Sequence, residues 1–272
     1  MVKKKNGSMK NYVIAIDLHG TLLNDHWEIP LELQKVFVNL LIELSSIVEF
    51  YICTGNDYNF IEKHLPSDII KLIDGFILET GCIVYCKGTK EYKTEKKTRK
   101  EANELKYFFK EKNYPFIKYL GERESTITLF TVDENGGEAP DRFYDIINSD
   151  LVNHKYGNNF YITWSNVAFD IIPKNKSKWA SLCQKTHNRH IISFLDSCND
   201  SELAEFSDYT FLPKNSSPNL LLYLRKNNKL IFPIKRFHLF KNQCYISDKS
   251  STEAVIEGLE YLKNEFFIGQ YI

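Results

Sequence analysis

The chain has 272 residues, enough for one large domain or two modest ones, and an apolar fraction of 43% that can supply a sizeable core. Its 35 lysine and arginine residues equal its 35 aspartate and glutamate residues, so charge gives no reason to expect nucleic acid or an anionic membrane as a partner. No apolar run approaches the roughly 20 residues that span a membrane, and residues 1–10 lack a signal-like apolar core. Six singly scattered cysteines favour reduced thiols. We therefore expect a cytoplasmic protein without membrane or nucleic-acid partners.

The first part of the chain alternates predicted strands and helices. Strands are expected over 12–16, 48–53 and 75–78, helices over 30–44 and 58–65, and a small hairpin around the Lys87-Gly88 turn. Strict alternation of strand and helix predicts a parallel, doubly wound sheet.

The middle of the chain has a different pattern, a helix followed by two strands, twice over. The predicted helices are 94–112 and 139–152, and the predicted strands are 116–120, 126–132, 160–164 and 168–172. This pattern predicts an antiparallel sheet with helices on one face. The alternating pattern then resumes, with helices at 177–186, 201–206, 218–225 and 252–266 and strands at 190–195 and 209–212. The fold class is therefore α/β, with a doubly wound, mainly parallel core (residues 10–86 and 173–272) and an inserted α+β module (residues 87–172).

Four short segments with reactive or polar residues fall at strand ends or helix starts of the alternating part. They are Asp17-Leu18-His19-Gly20-Thr21, Thr54-Gly55, Ser177-Lys178 and Asp196-Ser197-Cys198-Asn199-Asp200. A doubly wound sheet brings such ends together on one edge, where ligands bind.

The residue types in these segments suit phosphoryl transfer, which needs a nucleophile, a divalent cation and donors for the phosphate oxygens. Asp17 can accept a phosphoryl group as an acyl-phosphate. Asp196 is a hard oxygen ligand of the kind that Mg²⁺ takes. Thr54 offers a hydroxyl, and Lys178 offers a charge near a helix N-terminus.

In this order, and with an insert of this size, the four segments resemble the haloacid dehalogenase-like (HAD) phosphatase superfamily. Within it, the chain is similar to the Cof-type, sugar-phosphatase branch, which has a large cap between the second and third motifs. The segments 77–85, 169–178 and 251–262 resemble that branch as well. The resemblance implies a Mg²⁺-dependent hydrolase, a phosphoric monoester phosphatase acting on a small phosphorylated metabolite such as a sugar phosphate.

The resemblance also implies a role for each matched residue. Asp17 would form the aspartyl-phosphate, and His19 would occupy the acid–base position. The phosphate-binding residues would be Thr54, Gly55 and Lys178. The Mg²⁺ site would comprise Asp17, the backbone carbonyl of His19, Asp196, and the completing or supporting residues Asn199 and Asp200.

His19 departs from the family, which usually has a second aspartate at this position. An imidazole is a competent acid–base group, so His19 can be catalytic. Alternatively, the chain is a catalytically impaired relative that binds a phosphorylated ligand or a partner, or a phosphomutase. Asn56 and Leu195 also depart, since arginine and glycine are common there. Within the cap, the turn at 121–124 is expected to reach the core site.

Overall fold

The computed structural model of the protein describes residues 10–133, 135–187, 189–234 and 238–267. In these ranges the helices are α1 (Leu31–Leu44), α2 (Tyr58–His64), α3 (Ser67–Leu72), α4 (Lys96–Lys112), α5 (Tyr144–Asn153), α6 (Lys178–Thr186), α7 (Ser201–Phe206), α8 (Pro218–Lys226) and α9 (Ser251–Tyr261). The strands are β1 (Tyr12–Ile16), β2 (Val48–Cys53), β3 (Gly75–Leu78), β4 (Ile83–Cys86), β5 (Thr89–Tyr92), β6 (Tyr119–Leu120), β7 (Ile127–Phe130), β8 (Val132–Asp133), β9 (Gly136–Gly137), β10 (Phe160–Trp164), β11 (Ala168–Pro173), β12 (His190–Phe194), β13 (Tyr209–Leu212), β14 (Ile231–Pro233) and β15 (Gln243–Ile246).

The larger sheet contains nine of the described strands, in the order β14-β15-β13-β12-β1-β2-β3-β4-β5. The strands from β14 to β3 are parallel, and β4 and β5 add an antiparallel edge. Strand β1 lies between β12 and β2 in the middle of this sheet. The predicted fold class, α/β with a mainly parallel central sheet, is confirmed.

Strand β1 is buried on both faces of the sheet. Ile14 and Ile16 belong to an apolar cluster with helices α1 and α9, whereas Val13 and Ala15 belong to a second cluster with α6, α7 and α8. Full burial of an isoleucine side chain contributes about 1.5–3 kcal/mol. A continuous apolar run is typical of parallel strands covered by helices on both faces, so β1 is a rigid support for the residues that follow it.

The middle of the chain forms a second, antiparallel sheet in the order β10-β11-β7-β6. Leu105 and Phe109 of α4 and Ile147 of α5 pack against its strands. The strand predicted over 116–120 is shorter, because Ile117 N donates to Tyr114 O in a turn and only Tyr119–Leu120 pairs with β7. The helix predicted from 139 begins as a 3₁₀ turn and becomes α-helical at Tyr144. The predicted domain limits remain a prediction.

The chain leaves β3 through three consecutive residues with positive φ: Glu79 (47°), Thr80 (51°) and Gly81 (90°). A Cβ at Gly81 would lie 2.1 Å from the carbonyl oxygen of Ser177, so glycine is required there. The turn is thereby fitted against the residue that precedes α6. Helix α3 and strands β14 and β15 were not predicted. Among the described helices, none combines the length and the apolar character needed to cross a membrane.

Candidate active site

Asp17 lies at the C-terminal end of the central strand β1. It follows β1 directly, it is 3% exposed, and its backbone N–H donates to Phe194 O at 2.9 Å. Because β1 pairs in parallel with β12 and β2, residues that follow these strands emerge side by side. Thr54 is the first residue after β2, and Asp196 is the second residue after β12. The structure therefore brings these three predicted residues to one edge.

Lys178 joins this edge from the first turn of α6. Ser177 caps the helix, with its Oγ accepting a hydrogen bond from Ala180 N at 3.1 Å. Lys178 Nζ lies 2.7 Å from Asp17 Oδ1 and 2.8 Å from Asp200 Oδ1, and the side chain is 1% exposed. Burial alone lowers the pKa of Lys178, but the carboxylates of Asp17 and Asp200 outweigh burial and raise it. The ammonium is therefore held charged between the two carboxylates.

The site carries more negative than positive charge. Burial, followed by the charges of Asp17 and Asp200, raises the pKa of Asp196 well above its usual range. Burial likewise raises the pKa of Asp200 to about 7, against the opposing charge of Lys178. Among the described residues, neither Asp200 oxygen accepts a well-formed hydrogen bond apart from the ion pair with Lys178. Three buried carboxylates around one ammonium favour an additional cation.

The loop after β1 passes close to the Asp196 carboxylate. Gly20 has φ +75°, and a Cβ there would lie 2.4 Å from Asp196 Oδ2. The other carboxylate oxygen, Oδ1, accepts a hydrogen bond from Thr21 Oγ1 at 3.3 Å. Among the described residues, no three His, Cys, Asp or Glu side chains form a metal cluster by themselves. This donor set fits Mg²⁺, which usually takes one or two carboxylates and completes its shell with other oxygens, including water.

Asn199 and Asp200 lie in the 3₁₀ turn Cys198–Asp200 between β12 and α7. The Asn199 side-chain oxygen accepts a hydrogen bond from Ser197 Oγ at 2.8 Å. Ser197 and Asn199 both line the cavity above Asp17. Asp200 instead contacts Lys178. The metal-binding roles of Asn199 and Asp200 therefore stay predictions. Asp200 has an additional role, since it forms an ion pair with Lys178.

The Thr54-Gly55 segment forms a tight loop at the end of β2. Thr54 Oγ1 accepts hydrogen bonds from the backbone N–H and the side-chain Nδ2 of Asn56, at 3.1 and 3.2 Å. Its backbone N–H donates to Ile77 O at 2.8 Å. With its lone pairs used in this way, the Thr54 hydroxyl can turn its hydrogen toward an acceptor in the cavity.

Arg123 reaches this loop from the turn between β6 and β7, as the sequence predicted for residues 121–124. Its Nε donates to Gly55 O at 2.9 Å and its Nη2 donates to Asn56 Oδ1. The turn is also anchored by the buried Glu79 carboxylate, which accepts hydrogen bonds from the N–H groups of Glu124 (2.9 Å) and Ser125 (2.7 Å). Arg123 is the one cationic side chain among the described residues that line the cavity above Asp17.

Asp170 is a further acidic residue that the sequence analysis did not assign to the site. It lies on β11, is 5% exposed, and accepts a hydrogen bond from Thr128 Oγ1 at 2.7 Å. Burial raises the pKa of Asp170. Both Asp170 and Thr128 line the same cavity as Asp17. The signal available in the sequence was a lone carboxylate within the otherwise apolar strand Ala168–Pro173.

The side chain of His19 lies among aromatic rings. Its ring centroid is 5.2 Å from that of Trp27 and 6.4 Å from that of Phe60. Its buried Nε2 has no hydrogen-bond partner among the described residues. Burial lowers the pKa of His19, although the charge of Asp17 opposes the effect. These surroundings favour a neutral imidazole, and the acid–base role predicted for His19 stays a prediction.

A family model for haloacid dehalogenase-like hydrolases matches residues 14–155, slightly more than half of the chain. The chain belongs to this family. The recognition made from the four sequence segments is thereby confirmed. A search of curated proteins finds no match to the chain.

Solved structures of similar fold span almost the whole chain. A Streptococcus mutans protein is 19% identical with a TM-score of 0.65, over 93% of this chain and 98% of its own. The sucrose-phosphatase of Synechocystis sp., solved with sucrose and phosphate, is 15% identical with a TM-score of 0.62 over the same shares. A sugar phosphatase of HAD subclass IIB is 13% identical with a TM-score of 0.60, also over 93% and 98%. At these identities the likeness concerns the fold.

Proposed function

We propose that this HAD-family hydrolase is a Mg²⁺-dependent phosphatase that hydrolyses a small phosphorylated metabolite through an aspartyl-phosphate on Asp17. The observation that carries the proposal is the contact of Asp17 with Lys178 at 2.7 Å, at the C-terminal end of β1 and next to the strand that Asp196 follows. A carboxylate attacks phosphorus only when it is ionised, and the Lys178 ammonium forms a direct ion pair with the Asp17 carboxylate. The same ammonium offsets the repulsion between a carboxylate and an approaching phosphate.

The phosphate would bind between the sheet edge and Arg123. In the proposal, the Thr54 hydroxyl and the backbone N–H groups of the Gly55 loop donate hydrogen bonds to phosphate oxygens. The Lys178 ammonium offsets the negative charge of the phosphate. Arg123 adds a guanidinium at the cavity wall. Guanidinium groups bind phosphate through paired hydrogen bonds, so this side chain suits an anion that carries two negative charges.

The residues that would hold Mg²⁺ are the carboxylates of Asp17 and Asp196 and the backbone carbonyl of His19. Asn199 and Asp200 would support them, in part by positioning Ser197 and Lys178. When bound, the ion would offset the excess negative charge of the carboxylates and of the phosphate. The raised pKa of Asp196 supports this assignment, because a carboxyl group disfavoured by neighbouring negative charge gains most from a cation.

A sugar phosphate is the substrate class that we favour. Two of the structural relatives are a sucrose-phosphatase and a sugar phosphatase by name. In this chain, the cavity wall above Asp17 carries the hydroxyls of Thr128 and Ser165 and the carboxyl of Asp170, all able to bond substrate hydroxyls. We also propose a cytoplasmic location, since all six cysteines are free thiols, which suits a reducing compartment.

A second candidate is a catalytically impaired relative that binds a phosphorylated ligand or a partner. The aromatic, neutral surroundings of the His19 ring favour it, since the family's usual acid–base position would then lack a proton donor. A phosphomutase is the third alternative, because it would use the same nucleophile.

One experiment separates these three functions. The full chain is incubated with a panel of phosphate monoesters that includes sugar phosphates, with and without Mg²⁺, and inorganic phosphate is measured. We expect steady, Mg²⁺-dependent release with at least one ester, and none with the matched variant Asp17→Asn. Ester binding without release, seen as a thermal shift, would identify the impaired relative. Transfer of the phosphoryl group between positions of one sugar would identify a phosphomutase.

A further inference from the structure

Asp170 is a buried carboxyl group in the cavity of the proposed nucleophile, and neither proton transfer nor phosphoryl transfer has yet been assigned to it. Its Oδ1 accepts the hydrogen bond from Thr128 Oγ1, and its Oδ2 would lie 3.2 Å from a Cβ added at Gly55. The inserted sheet therefore carries Asp170 to the phosphate-binding loop, on the wall of the cavity that also contains Asp17.

A proton donor is needed in this cavity, since an alkoxide is a poor leaving group from phosphate. The His19 imidazole is poorly placed for that task, because its ring packs against Trp27 and Phe60 and its buried Nε2 has no hydrogen-bond partner among the described residues.

We propose that Asp170 is the proton donor to the leaving oxygen and the proton acceptor from the hydrolytic water. The inference rests on the phosphatase function proposed above and adds to it a residue supplied by the inserted sheet. It also means that the protein has a complete acid–base pathway despite the histidine at position 19.

Both half-reactions balance with Asp170 in this role. In the first, an Asp17 carboxylate oxygen bonds to phosphorus, the bond from phosphorus to the leaving oxygen breaks, and that oxygen takes the proton of the Asp170 carboxyl group. In the second, water attacks phosphorus while the Asp170 carboxylate takes a water proton. The bond to Asp17 then breaks, which gives inorganic phosphate, a free Asp17 carboxylate and a protonated Asp170.

The charges around Asp170 are compatible with proton exchange. Burial raises its pKa, and the Asp17 charge raises it further, which favours the protonated acid. The hydrogen bond from Thr128 and the charges of Arg123 and Lys178 act in the opposite direction and favour the carboxylate. A group with opposing influences of this kind can alternate between the two forms, as a general acid–base must.

The test compares two esters whose leaving groups differ in their need for a proton. An alkyl phosphate requires protonation of the leaving oxygen, whereas 4-nitrophenyl phosphate leaves as a stable phenolate. We expect Asp170→Asn to lower kcat/KM, which reports the first half-reaction alone, by about 10²–10⁴-fold for the alkyl ester, the usual effect of a positioned acid–base group, and far less for the nitrophenyl ester. Asparagine keeps the hydrogen-bond acceptor for Thr128. Asp145→Asn, an exposed carboxylate on the same inserted module, is the matched control and should change neither rate.

The ratio of the two rates is the informative quantity, because partial misfolding would lower both equally. Equal losses of kcat/KM with both esters would overturn the role of Asp170 and leave the phosphatase function standing. A wild type that releases phosphate from neither ester, nor from any sugar phosphate, would overturn both proposals.

A second variant keeps the proposal testable if Asp170→Asn does not fold. Thr128→Val removes a hydrogen bond that favours the Asp170 carboxylate, so it should raise the pKa of Asp170. The rate with the alkyl ester falls at alkaline pH when the proton donor is lost, so this decline should move to higher pH in Thr128→Val. An unchanged pH profile would overturn the proposal.

Discussion

The ammonium of Lys178 lies 2.7 Å from Asp17, a residue 161 positions earlier in the chain, with both side chains almost completely buried. This contact joins the end of β1 to the start of α6. A second carboxylate, Asp200, lies 2.8 Å from the same ammonium. The ammonium therefore stabilises two buried charges at once, and the stability of the fold and the chemistry of the site depend on the same side chain.

Replacement of Lys178 by methionine should destabilise the fold. Removing one partner of a buried ion pair usually costs about 3–5 kcal/mol, because the remaining charge loses its compensation. The folded-state pKa of Asp200 is already raised to about 7 and should rise further in the variant, so the deficit in unfolding free energy should grow as pH increases above about 7. Urea unfolding of wild type and variant at several pH values measures this deficit in unfolding free energy. Lys174→Met, at an exposed lysine nearby, is the control, and an equal, pH-independent effect of both would refute the expectation.

Arg123→Ala should weaken the binding of inorganic phosphate as a competitive inhibitor. A hydrogen bond to a charged group contributes about 1.5–3 kcal/mol, which corresponds to roughly a 10–150-fold higher inhibition constant. Lys118→Ala makes the same charge change at an exposed position of the same region and should leave the constant unchanged. If both variants bind phosphate like the wild type, Arg123 does not contact the phosphate.

Mg²⁺ should raise the melting temperature of the protein through its linkage to the folded state, and Asp196→Asn should abolish this response. Without metal, the variant should be at least as stable as the wild type, because burial and two neighbouring carboxylates disfavour the Asp196 charge. A lost response therefore cannot be ascribed to unfolding. Asp248→Asn, at an exposed carboxylate, should respond like the wild type. A full response in Asp196→Asn would exclude Asp196 as a ligand.

His19→Phe should retain turnover within about tenfold of the wild type, since the imidazole is not the proton donor in our account. Its stability should also be less sensitive to acid. The folded-state pKa of His19 is lowered, so in the wild type the unfolded chain takes up a proton first as pH falls through about 6.5, and stability is lost there. Activity assays and unfolding at pH 7 and 5 test both points. A loss of about 10²–10⁴-fold would instead restore the acid–base role to His19.

Elements with a strong local signal were predictable from the sequence. The predicted bounds of β1, β2 and β3 agree with the structure, because each is a short apolar run that ends at a polar or turn residue. The hairpin predicted around the Lys87-Gly88 turn is also present, formed by β4 and β5, although β5 consists of four exposed residues, Thr89–Tyr92. Its sequence has no apolar face, and only pairing with β4 makes it a strand.

The part of the site at the C-terminal ends of the parallel strands was predictable for a similar reason. Asp17, Thr54 and Asp196 follow strands whose parallel alignment can be expected from alternation alone. Arg123 and Asp170 come from the second sheet, and their positions depend on how the two sheets meet. Arg123 lies 68 positions from Gly55 in the chain, and no local pattern indicates that contact. The orientation of the His19 ring likewise follows from its packing against Trp27 and Phe60.

The most direct test of the account is to identify the residue that carries the phosphoryl group. The wild-type protein is mixed with a substrate from the phosphate-release screen, quenched within a turnover, and treated with borohydride, which reduces an acyl-phosphate to an alcohol. Mass spectrometry of the peptide that contains residue 17 should then show homoserine in place of Asp17, and the modification should be absent without substrate. Conversion of another residue, or no conversion while phosphate is still released, would contradict an aspartyl-phosphate on Asp17.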